Sequence, residues 1–230
     1  MNKISIIIPV FNEVNSINKL LLDLENKIFQ KEAIEIIVVD GGSTDGSQNK
    51  IRANYDVKLI ETAKGRATQM NTGANAASGN ILYFLHCDSF PPYNFDRSIT
   101  TNVAKGNLAG CFRLQFDYKH PVLMISQWFT RFNHISCRGG DQSLFITKNL
   151  FQAINGFDEK FIIYEDNEII SRLYAKKQFT VIPDYIITSA RRYRENGVWR
   201  LQFHFGIIHL KRRLGHSSES MLQYYKRNVL

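Results

Sequence analysis

Three apolar runs, each stopped abruptly, organise the first 88 residues. Ile4-Ser5-Ile6-Ile7-Ile8-Pro9-Val10 is closed by Pro9 and the polar turn at Asn12-Glu13. Ile34-Glu35-Ile36-Ile37-Val38-Val39 ends in Asp40 and the turn-rich stretch Gly41-Gly42-Ser43-Thr44-Asp45-Gly46. Ile81-Leu82-Tyr83-Phe84-Leu85 ends in His86-Cys87-Asp88-Ser89 and the breaker pair Pro91-Pro92. Short near-continuous apolar runs of this kind read as strands buried on both faces.

The segments between them carry a helical period. Ile17, Leu20, Leu21, Leu24 and Ile28 recur at helical spacing, with Lys19, Asp23, Glu25 and Lys27 outside that stripe. A short helix is expected after Gly46 through Ile51, a short strand at Lys58-Leu59-Ile60-Glu61, and a helix opening at Gly65-Arg66-Ala67. That last helix is built on small residues (Ala67, Gly73, Ala74, Ala76, Ala77), which implies close approach to its neighbours, and Ser78-Gly79 closes it. Strand and helix in alternation predict an α/β fold, with a mostly parallel sheet, right-handed crossovers and helices on both faces.

Beyond Pro92 the pattern is less regular. Helices are expected over Phe95–Lys105, Pro121–Phe132 and Asp166–Ala175, and strands over Ala109–Phe116, Gln142–Ile146 and Thr180-Val181-Ile182. A helical segment centred on Trp199 to Leu210 follows. The division is one large domain, 1–190, with a basic helical extension, 191–230, packed on or beside it. The net charge of +8 sits almost wholly in that extension, where 9 Lys and Arg face 2 acids, against 20 and 19 in residues 1–190. Such a concentration suits phosphate, an anionic lipid surface or nucleic acid, or is simply a solvated basic stretch. Three cysteines without metal-site spacing are expected as reduced thiols in a cytoplasmic protein. Met1-Asn2-Lys3 leads straight into a strand, so no signal peptide is expected, and no run approaches the roughly 18 apolar residues of a membrane span.

In parallel sheets ligands bind beyond the carboxyl ends of the strands. Asp40 and Asp88 both stand at such ends, which points to a nucleotide site: Asp40 toward base or ribose hydroxyls, Asp88 toward a divalent cation on a diphosphate. A turn-capping role for Asp88 is the alternative. Neither a Gly-x-Gly-x-x-Gly spacing nor a Gly-Lys-Ser/Thr sequence is present, which argues against dinucleotide dehydrogenases and P-loop enzymes. Arg66 is either a fixed cation for the diphosphate or a surface residue at a helix end. Asp166 suits a helix N-cap, and equally a general base that takes a proton from an acceptor hydroxyl. Asp141, in Gly139-Gly140-Asp141-Gln142, either touches the acceptor or shapes its loop. His86 is a metal ligand or satisfies the strand end.

Taken together, Ile7-Ile8-Pro9-Val10-Phe11-Asn12-Glu13, Val38-Val39-Asp40-Gly41-Gly42-Ser43-Thr44-Asp45-Gly46, His86-Cys87-Asp88 and Glu165-Asp166 resemble the family 2 glycosyltransferases of the GT-A fold, over roughly residues 4–190. Gly65-Arg66-Ala67-Thr68-Gln69-Met70-Asn71-Thr72-Gly73-Ala74 and Gly140-Asp141-Gln142 look more like one bacterial subgroup, whose members are named for selenium- or arsenosugar-associated genes. The resemblance implies a metal-dependent, inverting transfer of a sugar from a nucleotide-sugar donor to an acceptor hydroxyl. It implies Pro9, Phe11, Glu13 and Asp40 at the nucleoside, Asp88 as the Mg²⁺- or Mn²⁺-binding acid with His86 beside it, Asp166 as base, and Arg191 and Arg192 along the diphosphate. Two departures stand out: Asp40 is followed by Gly41 where the family commonly has a second acid, and His86 replaces the first acid of the metal motif. An anionic membrane surface is a candidate partner of the extension, and nucleic acid is not expected. A nucleotidyltransferase and a nucleotide- or membrane-binding protein without transfer activity are the competing readings.

Overall fold

A computed structural model describes residues 2–229. The strands are β1 (Ile4–Val10), β2 (Ile34–Asp40), β3 (Lys58–Glu61), β4 (Ile81–Phe84), β5 (Ser89–Phe90), β6 (Ala109–Phe116), β7 (Leu144–Thr147) and β8 (Thr180–Thr188), joined in one sheet of order β3-β2-β1-β4-β7-β6-β8-β5. The first four of that order are mutually parallel. β7 runs antiparallel to both β4 and β6, β6 and β8 are parallel, and β5 closes antiparallel on β8, so the sheet is mixed. Register puts Val10 beside Asp40 and Asp40 beside Glu61, and therefore brings the ends of β1, β2 and β3 to one edge.

Helices α1 (Val14–Lys27), α2 (Ser47–Asn54), α3 (Arg66–Ala76), α4 (Phe95–Ala104), α5 (Pro121–Phe129), α6 (Lys148–Ala153) and α7 (Glu165–Ala175) are followed by α8 (Arg191–Asn196), α9 (Val198–Arg213) and α10 (Ser218–Asn228). β1 alternates its apolar side chains between two cores. Ile4, Ile6, Ile8 and Val10 pack in the core that holds Ile17, Leu20, Leu21 and Leu24 of α1. Ile7 lies in the opposite core with Met70 and Ala74 of α3 and with Ile169, Ile170 and Leu173 of α7. Burial on both faces is why this strand has no polar alternation.

The small-residue helix behaves as its composition demands. A Cβ built at Gly73 would lie 2.4 Å from Ile7 Cγ2 and 3.1 Å from Val39 Cγ2. Close docking lets Gln69, buried in the same helix, donate its Nε2 protons to the carbonyls of Val10 and Val39, both at 2.8 Å. These are the carbonyls at the ends of β1 and β2, so α3 fixes the splay of the strands where the loops begin.

Several boundaries differ from the sequence expectation. β8 continues to Thr188, past Pro183, because the register shifts there: Ile182 pairs with Phe112 and Tyr185 with Arg113, leaving Pro183 and Asp184 in a bulge. Proline, which cannot donate to a ladder, fits at such a bulge. Gln142 is not in a strand; Gly140–Gln142 forms a 3₁₀ turn and β7 starts at Leu144. α7 begins at Glu165 with Tyr164 in the left-handed region as its N-cap (φ 72°). Asp166 is therefore the second helical residue, and the N-cap alternative for it falls away. Among the described residues no helix is long and apolar enough to cross a membrane, and all three cysteines are free.

Gly73→Ala tests the close-docking account. Alanine should gain about 1 kcal/mol of helix propensity over glycine, but a Cβ 2.4 Å from Ile7 Cγ2 puts overpacking at the upper end of its usual cost of about 1–3 kcal/mol. Urea unfolding should show a net loss; a neutral or stabilised variant would mean the α3–β1 contact is looser than described.

Candidate active site

Two loops at the end of the parallel strands are stitched together. The Asn12 N–H donates to Ser43 Oγ and Thr44 N–H to Asn12 Oδ1, each at 2.8 Å. The Glu13 N–H donates to Ser47 Oγ at 3.2 Å and Val14 N–H to Asp45 Oδ2 at 3.0 Å. The first amides of α1, which have no partner inside their own helix, are thereby capped from the neighbouring loop. Asn12 takes a left-handed backbone (φ 55°) to allow it.

Asp40 organises the second loop. It is wholly buried, and its Oδ2 accepts from Gly42 N at 2.9 Å, Ser43 N at 2.8 Å and Gln48 Nε2 at 2.7 Å. Its Oδ1 is buried without a hydrogen-bond partner. Desolvation opposes its charge, but the donated bonds outweigh it and hold the carboxyl below its ordinary value of 3.8. Pro9 is buried and its carbonyl accepts from Cys87 Sγ at 3.4 Å. Phe11 is exposed at the edge, with Lys64 Nζ 3.7 Å above its ring. Lys64, just before α3, had no distinguishing signal in the sequence.

The second half supplies a charged cluster. His86 Nε2 lies 3.2 Å from Asp166 Oδ2, and both side chains are nearly buried, 12% and 14% exposed. The residue expected as a metal ligand is thus turned to the expected base. Gly140 packs directly on this pair: a Cβ there would lie 2.1 Å from Asp166 Oδ2 and 3.0 Å from His86 Nε2. Arg66, half exposed at the start of α3, approaches Glu165 Oε1 at 3.5 Å. Burial works against its charge, yet Glu165, Asp166, Asp141 and Asp88 together raise its pKa.

The same surroundings separate the two adjacent acids of α7. Burial, then the neighbouring Asp166 charge, push Glu165 up to about 7. For Asp166 burial also disfavours the charge, but His86 and Arg66 overcome it and the carboxyl is lowered. Asp166 is therefore the carboxylate held in its charged form, while Glu165 is divided between its two forms near neutral pH. His86 is raised in turn, since Asp166 outweighs its desolvation. Asp141 is open to solvent, yet enough protein surrounds its carboxyl that desolvation, and then Asp88, raise it above the usual carboxylate range.

Arg191, at the start of α8, donates to Glu13 Oε1 at 3.1 Å and feels the Asp88 charge, so it closes the cluster from the extension. Arg192 points elsewhere and donates to the Tyr225 hydroxyl of α10 at 2.6 Å. Pro9, Phe11, Glu13, Asp40, Arg66, His86, Asp88, Asp141, Asp166 and Arg191 thus share one edge, and Arg192 does not join them. Among the described residues no three His, Cys, Asp or Glu side chains converge as a metal cluster. Asp88 and the neighbouring Asp141 are nonetheless oxygen donors suited to a hard divalent cation that completes its shell with diphosphate oxygens and water.

Asp40 gives a pH prediction. Its folded pKa is depressed, so its stabilisation is present above about pH 4 and lost as pH falls through the lower folded value. Asp40→Asn should lose about 1–2 kcal/mol at neutral pH through weaker, uncharged hydrogen bonds and should show a shallower acid limb. Parallel acid limbs for the two proteins in urea titrations would contradict this.

Comparison with known proteins agrees with the geometry. The model of glycosyl transferase family 2 matches residues 5–155, and that of the N-terminal domain of galactosyltransferase matches residues 119–195. Glycosyltransferase AglE of Haloferax volcanii is 33% identical over 110 residues, 45% of this chain and 36% of that protein. The undecaprenyl-phosphate 4-deoxy-4-formamido-L-arabinose transferase of Proteus mirabilis is 25% identical over 232 residues, 97% of this chain and 64% of its own. The chain spans less than two thirds of either relative. Among solved structures, S. aureus TarS in complex with UDP-GlcNAc superposes with a TM-score of 0.65 at 16% identity, over 81% of this chain and 58% of that one. The mannosyltransferase PcManGT from Pyrobaculum calidifontis, in complex with GDP-Man and Mn²⁺, gives 0.67 at 17% identity, over 99% and 68%. The fold is the GT-A-like α/β fold of those structures, and with the family model matching well over half its length the chain belongs to glycosyl transferase family 2.

Proposed function

We propose that this protein is a glycosyltransferase that moves a sugar from a nucleotide-sugar to an acceptor hydroxyl by a single displacement, with Asp166 as general base. The observation that carries the reading is the ionised Asp166, held by His86 and Arg66 at the same sheet edge as Asp88. Asp166 takes the hydroxyl proton as the acceptor oxygen bonds to the anomeric carbon. The bond from that carbon to the diphosphate oxygen breaks, and its electron pair leaves with the nucleoside diphosphate. One displacement inverts the anomeric configuration. Arg66 and Arg191 offset the charge that develops on the leaving group. Pro9, Phe11 and Glu13 border the nucleoside, and Asp40 acts there by shaping the 41–46 loop.

Asp88 and Asp141, close enough that the charge of one acts on the other, are the oxygen donors that would hold Mg²⁺ or Mn²⁺, and the cation when bound would neutralise the departing diphosphate. We read His86 primarily as the partner of Asp166, on the strength of their contact. The donor complexes of TarS and PcManGT support the reading. The stretch Gly65–Ala74 supports kinship with the subgroup named for selenium- or arsenosugar-associated genes, a name that specifies no substrate. We place 1–190 as the transfer domain and 191–230 as its basic extension, in a cytoplasmic enzyme acting at the inner face of a membrane.

Two substitutions separate the roles. Asp166→Asn should keep the fold and nucleotide-sugar binding and lose transfer by about 10²–10⁴; near-normal turnover would remove Asp166 from the chemistry. Asp88→Asn should lose the Mn²⁺-dependent part of nucleoside diphosphate binding by calorimetry. Unchanged metal-dependent affinity would refute its role.

A further inference from the structure

α9 uses one face to pack on the protein, where Val198, Leu201 and Ile208 are buried. It leaves a second apolar stripe in water. Trp199 and Phe203, one turn apart, are 73% and 64% exposed. α5 shows the same behaviour: Leu123 is buried, while Met124, Ile125, Trp128 and Phe129 are all exposed. The two helices lie side by side. His120, the N-cap of α5, meets the ring of Trp199 at 6.5 Å, and Ser136, just past α5, accepts from Arg213 at the end of α9 at 3.2 Å. The two exposed stripes are therefore neighbours on the protein surface.

We infer that this α5–α9 face is a docking surface for an anionic lipid bilayer. Exposed apolar patches of this kind mark interaction sites, and the rim decides the occupant. Arg131 stands over the Trp128 ring at 4.6 Å, Arg213 at the end of α9 reaches the turn that follows α5, and the extension that supplies α9 carries 9 basic residues against 2 acids. Aromatic residues beside arginines match the headgroup level of a bilayer, where amphipathic rings and cations are both favoured. A second copy of the chain would bring one strongly basic extension against another, which disfavours it as the occupant. The surface is also tied to the active site. The Tyr164 hydroxyl is 2.8 Å from His209 Nδ1 and Arg212 lies 4.9 Å over Phe161, so α9 holds the segment that leads into Asp166. Docking would set the base end of the cleft beside the bilayer.

Both tryptophans of the chain lie on this face, so the intact protein carries its own reporter. It should sediment with phosphatidylcholine vesicles containing phosphatidylglycerol at low salt, not with phosphatidylcholine alone, and its tryptophan emission should shift to the blue on binding. Trp128→Ser with Trp199→Ser should weaken sedimentation roughly tenfold or more, as should Lys211→Gln, Arg212→Gln and Arg213→Gln together. The substituted positions are on the surface, and circular dichroism should show an unchanged fold. Absence of sedimentation with anionic vesicles, binding with unshifted emission, or full binding by the double tryptophan variant would each overturn the inference. So would self-association in the absence of vesicles that the tryptophan variant abolishes. Binding is read without donor or acceptor, so the result stands apart from whether the transfer mechanism is right.

Discussion

The Arg66 guanidinium stands among four carboxylates, Glu165, Asp166, Asp141 and Asp88, that would otherwise repel one another across the active site. It lowers both Glu165 and Asp166, so burial and the His86 contact decide how those two acids divide their work. Glu165 is buried and takes the penalty of desolvation, rising to about 7, while Asp166 keeps its charge because Arg66 is joined by His86. Two adjacent carboxyls with opposite shifts are a recurring mark of acid–base assignment. The extension adds Arg191, bound to Glu13, so positive charge reaches the cluster from both α3 and α8. Acids still outnumber bases in the cluster, so on the proposed reading a diphosphate would enter together with a divalent cation.

The cluster depends on the sheet beneath it. The parallel register of β1, β2 and β3 aligns their ends, and Gln69 ties the last carbonyl of β1 and the penultimate one of β2 to α3, which also begins with Arg66. Gly73 is what lets α3 sit close enough for that reach. Gly140 has the matching role on the other side, where a side chain would occupy the space of the Asp166 carboxylate. Packing in the core and charge placement in the cleft are therefore one problem, solved by small residues at two points.

Much of this was legible in the sequence because the first half speaks in local signals. Buried strands without alternation, helical stripes and acids at strand ends place β1, β2, α1, Asp40 and Asp88 with no tertiary knowledge. The second half does not. β5 has two residues hidden between Asp88 and Pro91, and β8 runs through a proline that local rules read as a stop. The contact between His86 and Asp166 spans 80 residues, and a metal ligand and a hydrogen-bond partner of a base look alike as a histidine after a strand. Asp166 was open between cap and base because an aspartate near a helix start can serve as either. Placing the helix boundary one residue earlier removes the cap role. The apolar stripe of α5 was visible only as an aromatic-rich helix, since sequence cannot tell which of its residues the fold leaves outside.

Backbone amide chemical shifts, followed while a nucleoside diphosphate with Mg²⁺ is titrated into the protein, test most directly the claim that the donor lies along the parallel-strand edge. The account predicts the largest changes in residues 11–13, 41–46, 65–66, 86–88, 139–142 and 165–166, with Arg191 among them and Arg192 and α10 little affected. Saturating shifts confined to another surface, or none in the presence of the metal, would contradict it.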